Sequence, residues 1–260
     1  MLKFAAITPH PPIIVKEILP ADSIDKVEST IKAMEDLAGS FKKTKCETVI
    51  VISPHALMHE NSFVINNAPK LSGSLADFGW LKEFEFKNDF DLLAQTKVEL
   101  TKAQIDFQLA ENRLDHGTLV PLYYLSQNQD FKVMVFSFSL QNLKTHYQYG
   151  QILAKVFKKQ KTRIGVIASG DLSHRLSKDA PGGFSPQAKK FDQLLLEHLQ
   201  NQQIQKLINL PPALIQEAGE CGLRSIAILL GILNDQEWEF SQLSYQAPFG
   251  VGYLTGRIIL

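Results

Sequence analysis

Val49-Ile50-Val51-Ile52-Ser53-Pro54-His55 is an apolar, strand-like run that stops at a proline and delivers a histidine into the turn beyond it. The same construction occurs at Ala6-Ile7-Thr8-Pro9-His10-Pro11-Pro12, and a third histidine ends Ile167-Ala168-Ser169-Gly170-Asp171-Leu172-Ser173-His174. In an open α/β sheet, ligands bind outside the carboxyl ends of the strands, so imidazoles delivered there can converge on one site.

Working outward, strand-like runs recur at 2–8, 47–53, 62–66, 131–140, 163–170, 239–245 and 251–260, most of them rich in Val, Ile or Phe. Helical patterns lie between them. In 24–43, the residues Ile24, Val27, Ile31, Met34 and Leu37 recur at spacings of three and four, which makes one buried face. The stretches 88–102, 142–158, 185–201 and 222–233 read similarly, and Ser185-Pro186 supplies an N-cap followed by proline at the first helical position. Strands alternating with helices imply an α/β fold, with a mostly parallel central sheet flanked by helices on both faces. The last two strands, joined by Gln246-Ala247-Pro248-Phe249-Gly250, are expected to form an antiparallel pair. No repeat, low-complexity tract or linker divides the chain, so residues 1–260 are read as one domain. The segment 68–87 is the least regular, mixing Ser72-Gly73-Ser74 with Phe78-Gly79-Trp80; it is either a lid with apolar walls or an ordinary surface loop.

Composition narrows the function. Lys+Arg and Asp+Glu both total 27, so the formal net charge is +0 and no electrostatic footprint for nucleic acid or anionic membrane is visible. Pro9 interrupts the N-terminal apolar run before it could serve as a secretory core or a span, and 226–233 is too short to cross a bilayer. Two cysteines, Cys46 and Cys221, offer no disulfide framework, which makes a reducing cytoplasmic setting the default.

The prolines around His10 and His55 stiffen the backbone where each imidazole projects, and rigidity suits a metal ligand. The plainer alternative for either is a turn whose histidine only hydrogen-bonds a carbonyl. Glu220, in Gly219-Glu220-Cys221-Gly222, would add a carboxylate to make a two-histidine, one-carboxylate set with open positions, unless it merely satisfies amides at a helix start. Cys221 is a soft alternative ligand. His174 is a fourth ligand or a free acid/base, with Asp171 able to orient a neighbouring imidazole. His116, in Leu114-Asp115-His116-Gly117-Thr118, either donates to a bound oxygen species or belongs to a helix cap. His59, His146 and His198 are read as surface residues. A Ser-His-Asp hydrolase using Ser169 or Ser173 competes, but no Gly-x-Ser-x-Gly elbow is present and adjacent Ser173 and His174 would face opposite sides of an extended chain. Phosphate-loop and dinucleotide fingerprints are absent as well.

In order along the chain, Thr8-Pro9-His10-Pro11-Pro12, Ser53-Pro54-His55-Ala56, Leu114-Asp115-His116-Gly117-Thr118-Leu119-Val120-Pro121-Leu122, Gly170-Asp171-Leu172-Ser173-His174-Arg175-Leu176, Gly219-Glu220-Cys221-Gly222 and Pro248-Phe249-Gly250-Val251-Gly252-Tyr253 resemble the class III extradiol ring-cleavage dioxygenases. The resemblance is to the LigB-type branch associated with the AmmeMemoRadiSam system and runs nearly end to end. It implies an enzyme that cleaves a catechol-like ring with O2, with Fe(II) (or Zn) on His10, His55 and Glu220. His174 would be the catalytic acid/base and His116 a catalytic group near bound dioxygen. It implies a small aromatic diol and O2 as partners, with a homo-oligomer and AmmeMemoRadiSam or radical SAM proteins as further candidates. The alternative is a Memo-like metal-binding protein, holding Zn or Cu and acting through protein partners without dioxygenase activity.

Overall fold

The computed structural model describes residues 1–127 and 129–260. Strand β1 (Leu2–Thr8) leads through a proline-rich turn to helix α1 (Ile24–Thr44), then β2 (Thr48–Ser53) and β3 (Phe63–Asn66). A hairpin, β4 (Lys70–Leu75) and β5 (Trp80–Lys87), precedes α2 (Phe90–Lys102), β6 (Phe107–Ala110) and α3 (His116–Leu125). Then come β7 (Lys132–Ser137), α4 (Leu143–Lys158), β8 (Ile164–Ser169), α5 (Pro186–Gln200), α6 (Ile204–Leu207), α7 (Pro212–Ala218), α8 (Leu223–Ile232), β9 (Glu239–Gln246) and β10 (Tyr253–Ile259).

One eight-stranded sheet runs in the order β6-β3-β7-β2-β8-β1-β10-β9. Strands β7, β2, β8 and β1 are mutually parallel, β1 pairs antiparallel with β10, and β10 with β9. The expected mostly parallel sheet and C-terminal antiparallel pair are therefore both present, and β3 adds a further antiparallel join to β7. Because successive strand residues face opposite sides, β2 sends Ile50 and Ile52 into one core and Val49 and Val51 into the other. Helices α2, α4, α5 and α8 cover the first core, while α1 and α3 cover the second. Both faces are thus sealed, which is why the central strands carry almost no polar residues before their carboxyl ends. Among the described residues, no helix is long and apolar enough to cross a membrane.

The structure differs from the expected elements in four places. The strand expected over 131–140 ends at Ser137, where the chain turns to start α4, and Phe107–Ala110 is an additional strand paired with β3. Two short helices, α6 and α7, were not apparent from periodicity. The irregular segment 68–87 is a hairpin rather than a loop. It is tied to the body where Ser72 O accepts from Leu114 N at 2.8 Å, and only glycine fits at position 73, since a Cβ there would lie 2.5 Å from Leu114 O. The glycine that reads as flexible is a point of close contact.

Candidate metal centre

Strands β2, β8 and β1 are neighbours, so their carboxyl ends open onto the same region. β1 runs into Pro9 and places His10 there, almost fully buried, with its backbone N–H donating to Asp171 Oδ1 at 3.1 Å. β2 ends at Ser53 and places His55 after Pro54, its backbone N–H reaching Ser53 Oγ at 3.3 Å. His10 Nε2 and His55 Nε2 lie 3.0 Å apart.

The ring of His10 is held in one tautomer. The Ser169 hydroxyl has a single proton and gives it to Gly117 O at 2.5 Å, so toward His10 it can only accept. His10 Nδ1, 2.9 Å from Ser169 Oγ, must therefore carry the ring proton. Nε2 is left with its lone pair, aimed at His55. This is the outer hydrogen bond that fixes a metal-binding imidazole, and it comes from the last residue of the neighbouring strand. Replacing Ser169 with alanine is expected to weaken metal binding about 10–100-fold with the fold intact, as measured by competition with a chelator.

His116 is the first residue of α3. Asp115 caps that helix, its Oδ1 accepting from Thr118 N at 3.0 Å and from Ser53 Oγ at 2.6 Å, so the cap also ties α3 to the end of β2. Capping and a place at the site are compatible here: Asp115 does the first and His116 has the second. The His116 ring stacks on His55 with centroids 4.2 Å apart and lies 5.4 Å from the ring of His10. One nitrogen from each of His10, His55 and His116 falls within 4.8 Å of the others, a possible three-histidine metal site. Phe78, at the tip of the hairpin, sets its ring edge-on to His116 at 5.3 Å and makes an aromatic wall.

His174 joins the same cluster from the segment after β8. Its backbone N–H donates to Ala218 O at 3.0 Å and its carbonyl accepts from Gly182 N at 3.1 Å, which fixes the residue on both sides. Its Nε2 lies 3.8 Å from Cys221 Sγ, and that sulfur lies 3.7 Å from His10 Nε2.

The Glu220 carboxylate is not brought to the histidines. Neighbouring residues in the turn before α8 face different ways, and the inward place goes to Cys221. Glu220 instead accepts from Leu223 N at 2.6 Å, capping α8 in place of Gly222, which has no side chain to do so. Its other oxygen lies 4.0 Å from Arg224 Nη1. The turn is pressed against β8 by two glycines: a Cβ on Gly170 would lie 2.1 Å from Gly222 Cα.

The electrostatics favour uncharged nitrogen donors. Burial lowers the pKa of His10, His55 and His174, and that of His116 to about 4, with neighbouring imidazoles adding to the fall for His10, His116 and His174. Burial raises Asp171 to about 7 and Glu220 to about 7, and pushes the Cys221 thiol well up. A divalent transition metal fits this set. Metal ligation requires neutral imidazole, and two nitrogens about 2.1 Å from one ion with a near-right angle between them are about 3 Å apart.

Neither serine competes as a nucleophile. Ser169 is spent on Gly117 O, and the buried Ser173 hydroxyl donates to Ala188 O at 3.0 Å, away from His174. Three histidines read as surface residues are placed otherwise. His59 is half-buried, His146 is fully buried with its ring nitrogens against Asn142 O and Ser139 O, and His198 is buried beside Gln203 Oε1. The helical periods around His146 and His198 look polar only because each histidine occupies an apolar-face position. The sequence offers Cys221 as an alternative ligand, but spacing does not decide which of two adjacent residues turns inward.

Over residues 4–256 the chain matches the family described as the catalytic LigB subunit of aromatic ring-opening dioxygenase. Protein CA_C1420 of Clostridium acetobutylicum is 31% identical over 94% of this chain, which spans 55% of that relative's length. The 3,4-dihydroxyphenylacetate 2,3-dioxygenase of Escherichia coli is 22% identical over 92% of each chain. Among solved structures, the uncharacterized protein JW3007 from Escherichia coli K12 has the same fold, with a TM-score of 0.70 at 17% identity, covering 98% of this chain and 99% of the other. Matched along almost its full length and carrying clustered histidines at the strand ends, the chain belongs to the LigB family of aromatic ring-opening dioxygenase subunits.

Proposed function

We propose that this protein opens the ring of an aromatic diol with O2, using Fe(II) held by His10, His55 and His116, with His174 as the proton-handling group. The observation that carries the reading is the His10 ring, locked by Ser169 with its Nε2 lone pair facing His55. Family membership and the printed activity of the 22% identical relative support the reaction class. Fe(II), when bound, supplies a Lewis-acidic centre for the two diol oxygens and a one-electron couple for dioxygen. His174 is neutral at working pH because burial and His55 lower its pKa, so it can take a hydroxyl proton from the diol and return it to the ring-opened product. Phe78 and His116 offer aromatic surfaces at the mouth, suited to a planar substrate.

Iron loading without oxygen, followed by a panel of catechols and air, is expected to give a yellow ring-opened product with one O2 consumed per diol. His174→Ala should keep its iron and lose about 10²–10⁴ in kcat. Iron-loaded protein that turns over no member of a broad panel contradicts the reading.

One observation favours a second reading, a metal-binding protein without ring-cleavage activity that acts through protein partners. Cys221 Sγ lies 3.7 Å from His10 Nε2 and 3.8 Å from His174 Nε2, so a thiol and two imidazoles share one corner of the cluster. Thiolate with imidazole suits Zn or Cu(I). Metal analysis of two variants separates the readings. Under the first, His116→Ala loses most of its metal and Cys221→Ser keeps it; under the second, the outcomes exchange.

A further inference from the structure

The cleft beyond Glu220 is about 800 Å³ and lies between the residues that start α4, the α6–α7 connection and the first turn of α8. That volume is in the range of small-molecule sites, which pair apolar walls with a few placed polar groups. Leu210 and Ile215 form apolar walls, and Leu140 on the rim is 57% exposed, a large aliphatic side chain turned to solvent.

The charged groups here are only loosely paired, with one cation in excess. Lys144 and Arg224 bring two cations, and Glu220 brings one carboxylate. One oxygen of that carboxylate is spent on Leu223 N, and the other, at 4.0 Å from Arg224 Nη1, is beyond hydrogen-bond reach. Arg224 Nε is buried and has no acceptor among the described residues. The guanidinium is seated 5.7 Å from the ring centroid of Phe138, which holds it in place without using its donors, and the side chain keeps 29% of its surface exposed. With Nε enclosed, the exposed part of this fixed guanidinium beside apolar walls is what a carboxylate can pair with.

We propose that this cleft is a second binding site, separate from the histidine cluster, for a small molecule carrying a carboxylate on an apolar body. Glu220 and Cys221 divide the two regions, with the carboxylate lining the cleft and the thiol facing the histidines. Occupancy of the cleft therefore does not require a metal.

Calorimetric titration of the full metal-loaded chain with 3-phenylpropanoate and with hexanoate tests this, alongside the same two molecules as primary amides. The carboxylates are expected to saturate one site, with the amides at least tenfold weaker. Arg224→Gln should weaken the carboxylates tenfold or more with metal content unchanged, and the exposed Lys144→Glu severalfold, which keeps the test open if the first variant folds poorly. His10→Ala should bind them as the native chain does. Equal binding of acids and amides, no saturable binding of either acid, or binding lost in His10→Ala and kept in Arg224→Gln would each overturn the proposal.

Discussion

His10→Ala is expected to leave the chain folded and to take its metal content from about one ion per chain to near zero, with activity lost in step. The imidazole is buried and donates only to Ser169 from the ring, so the fold loses one hydrogen bond, on the order of 1 kcal/mol, and the packing of one buried ring, about 2 kcal/mol or more. The site loses far more, because His10 Nε2 is the nitrogen held 3.0 Å from His55 Nε2. Elemental analysis after gel filtration, with circular dichroism as the folding control, reads both effects. The same chemistry sets the pH dependence. Imidazole lowered below its ordinary value stays unprotonated as pH falls, so metal retention in the native protein should persist below pH 6.5 and fail toward pH 4, where His116 gains its proton. Retention that fails already near pH 6.5 would mean that the imidazoles are not held together as this cluster places them.

The second large effect is structural. Gly170→Ala places a methyl group 2.1 Å from Gly222 Cα, a contact between two backbones that no rotamer change can relieve. One of β8 and the Glu220–Cys221 turn has to move, at a cost of about 3 kcal/mol or more. Chemical denaturation should show a large fall in midpoint, and whatever folded protein remains should bind metal poorly, since the turn and His174 share that contact region. Gly39→Ala is the matched control. It lies inside α1 with nothing within 4 Å of the added carbon, so it should stabilise by about 0.5–1 kcal/mol. If Gly170→Ala behaves like Gly39→Ala, the close approach does not hold the site together.

Much of this architecture is legible in the chain because the strands announce their own ends. β1 is apolar from Phe4 to Ile7 and β2 from Val49 to Ile52, as burial on both faces demands, and each run gives way within two residues to a proline that cannot continue the ladder. The histidine after each proline is thereby placed at the carboxyl edge before any tertiary contact is known. What the chain does not display is direction at single-residue resolution. In Glu220-Cys221 both side chains are plausible ligands, and the choice is made by Gly170 and Gly222, whose approach sets the turn against β8. The hairpin at β4 and β5 is hidden for a related reason: Gly73 and Gly79 read as flexibility, yet one is a packing contact with Leu114 and the other a left-handed turn at φ 91° that presents Phe78. Likewise, His146 sits in a polar stretch while its ring is enclosed by Phe63, distant in sequence, and by Phe138 from the loop before α4.

His10 and His55 are expected to share one ion. X-ray absorption at the metal edge, on protein purified without oxygen or chelator, tests it most directly. The expected spectrum has nitrogen neighbours about 2.0–2.2 Å from the metal with the outer-shell signature of at least two imidazoles, falling by one in His55→Ala. A shell of oxygen neighbours alone, or a spectrum unchanged by His55→Ala, would contradict it.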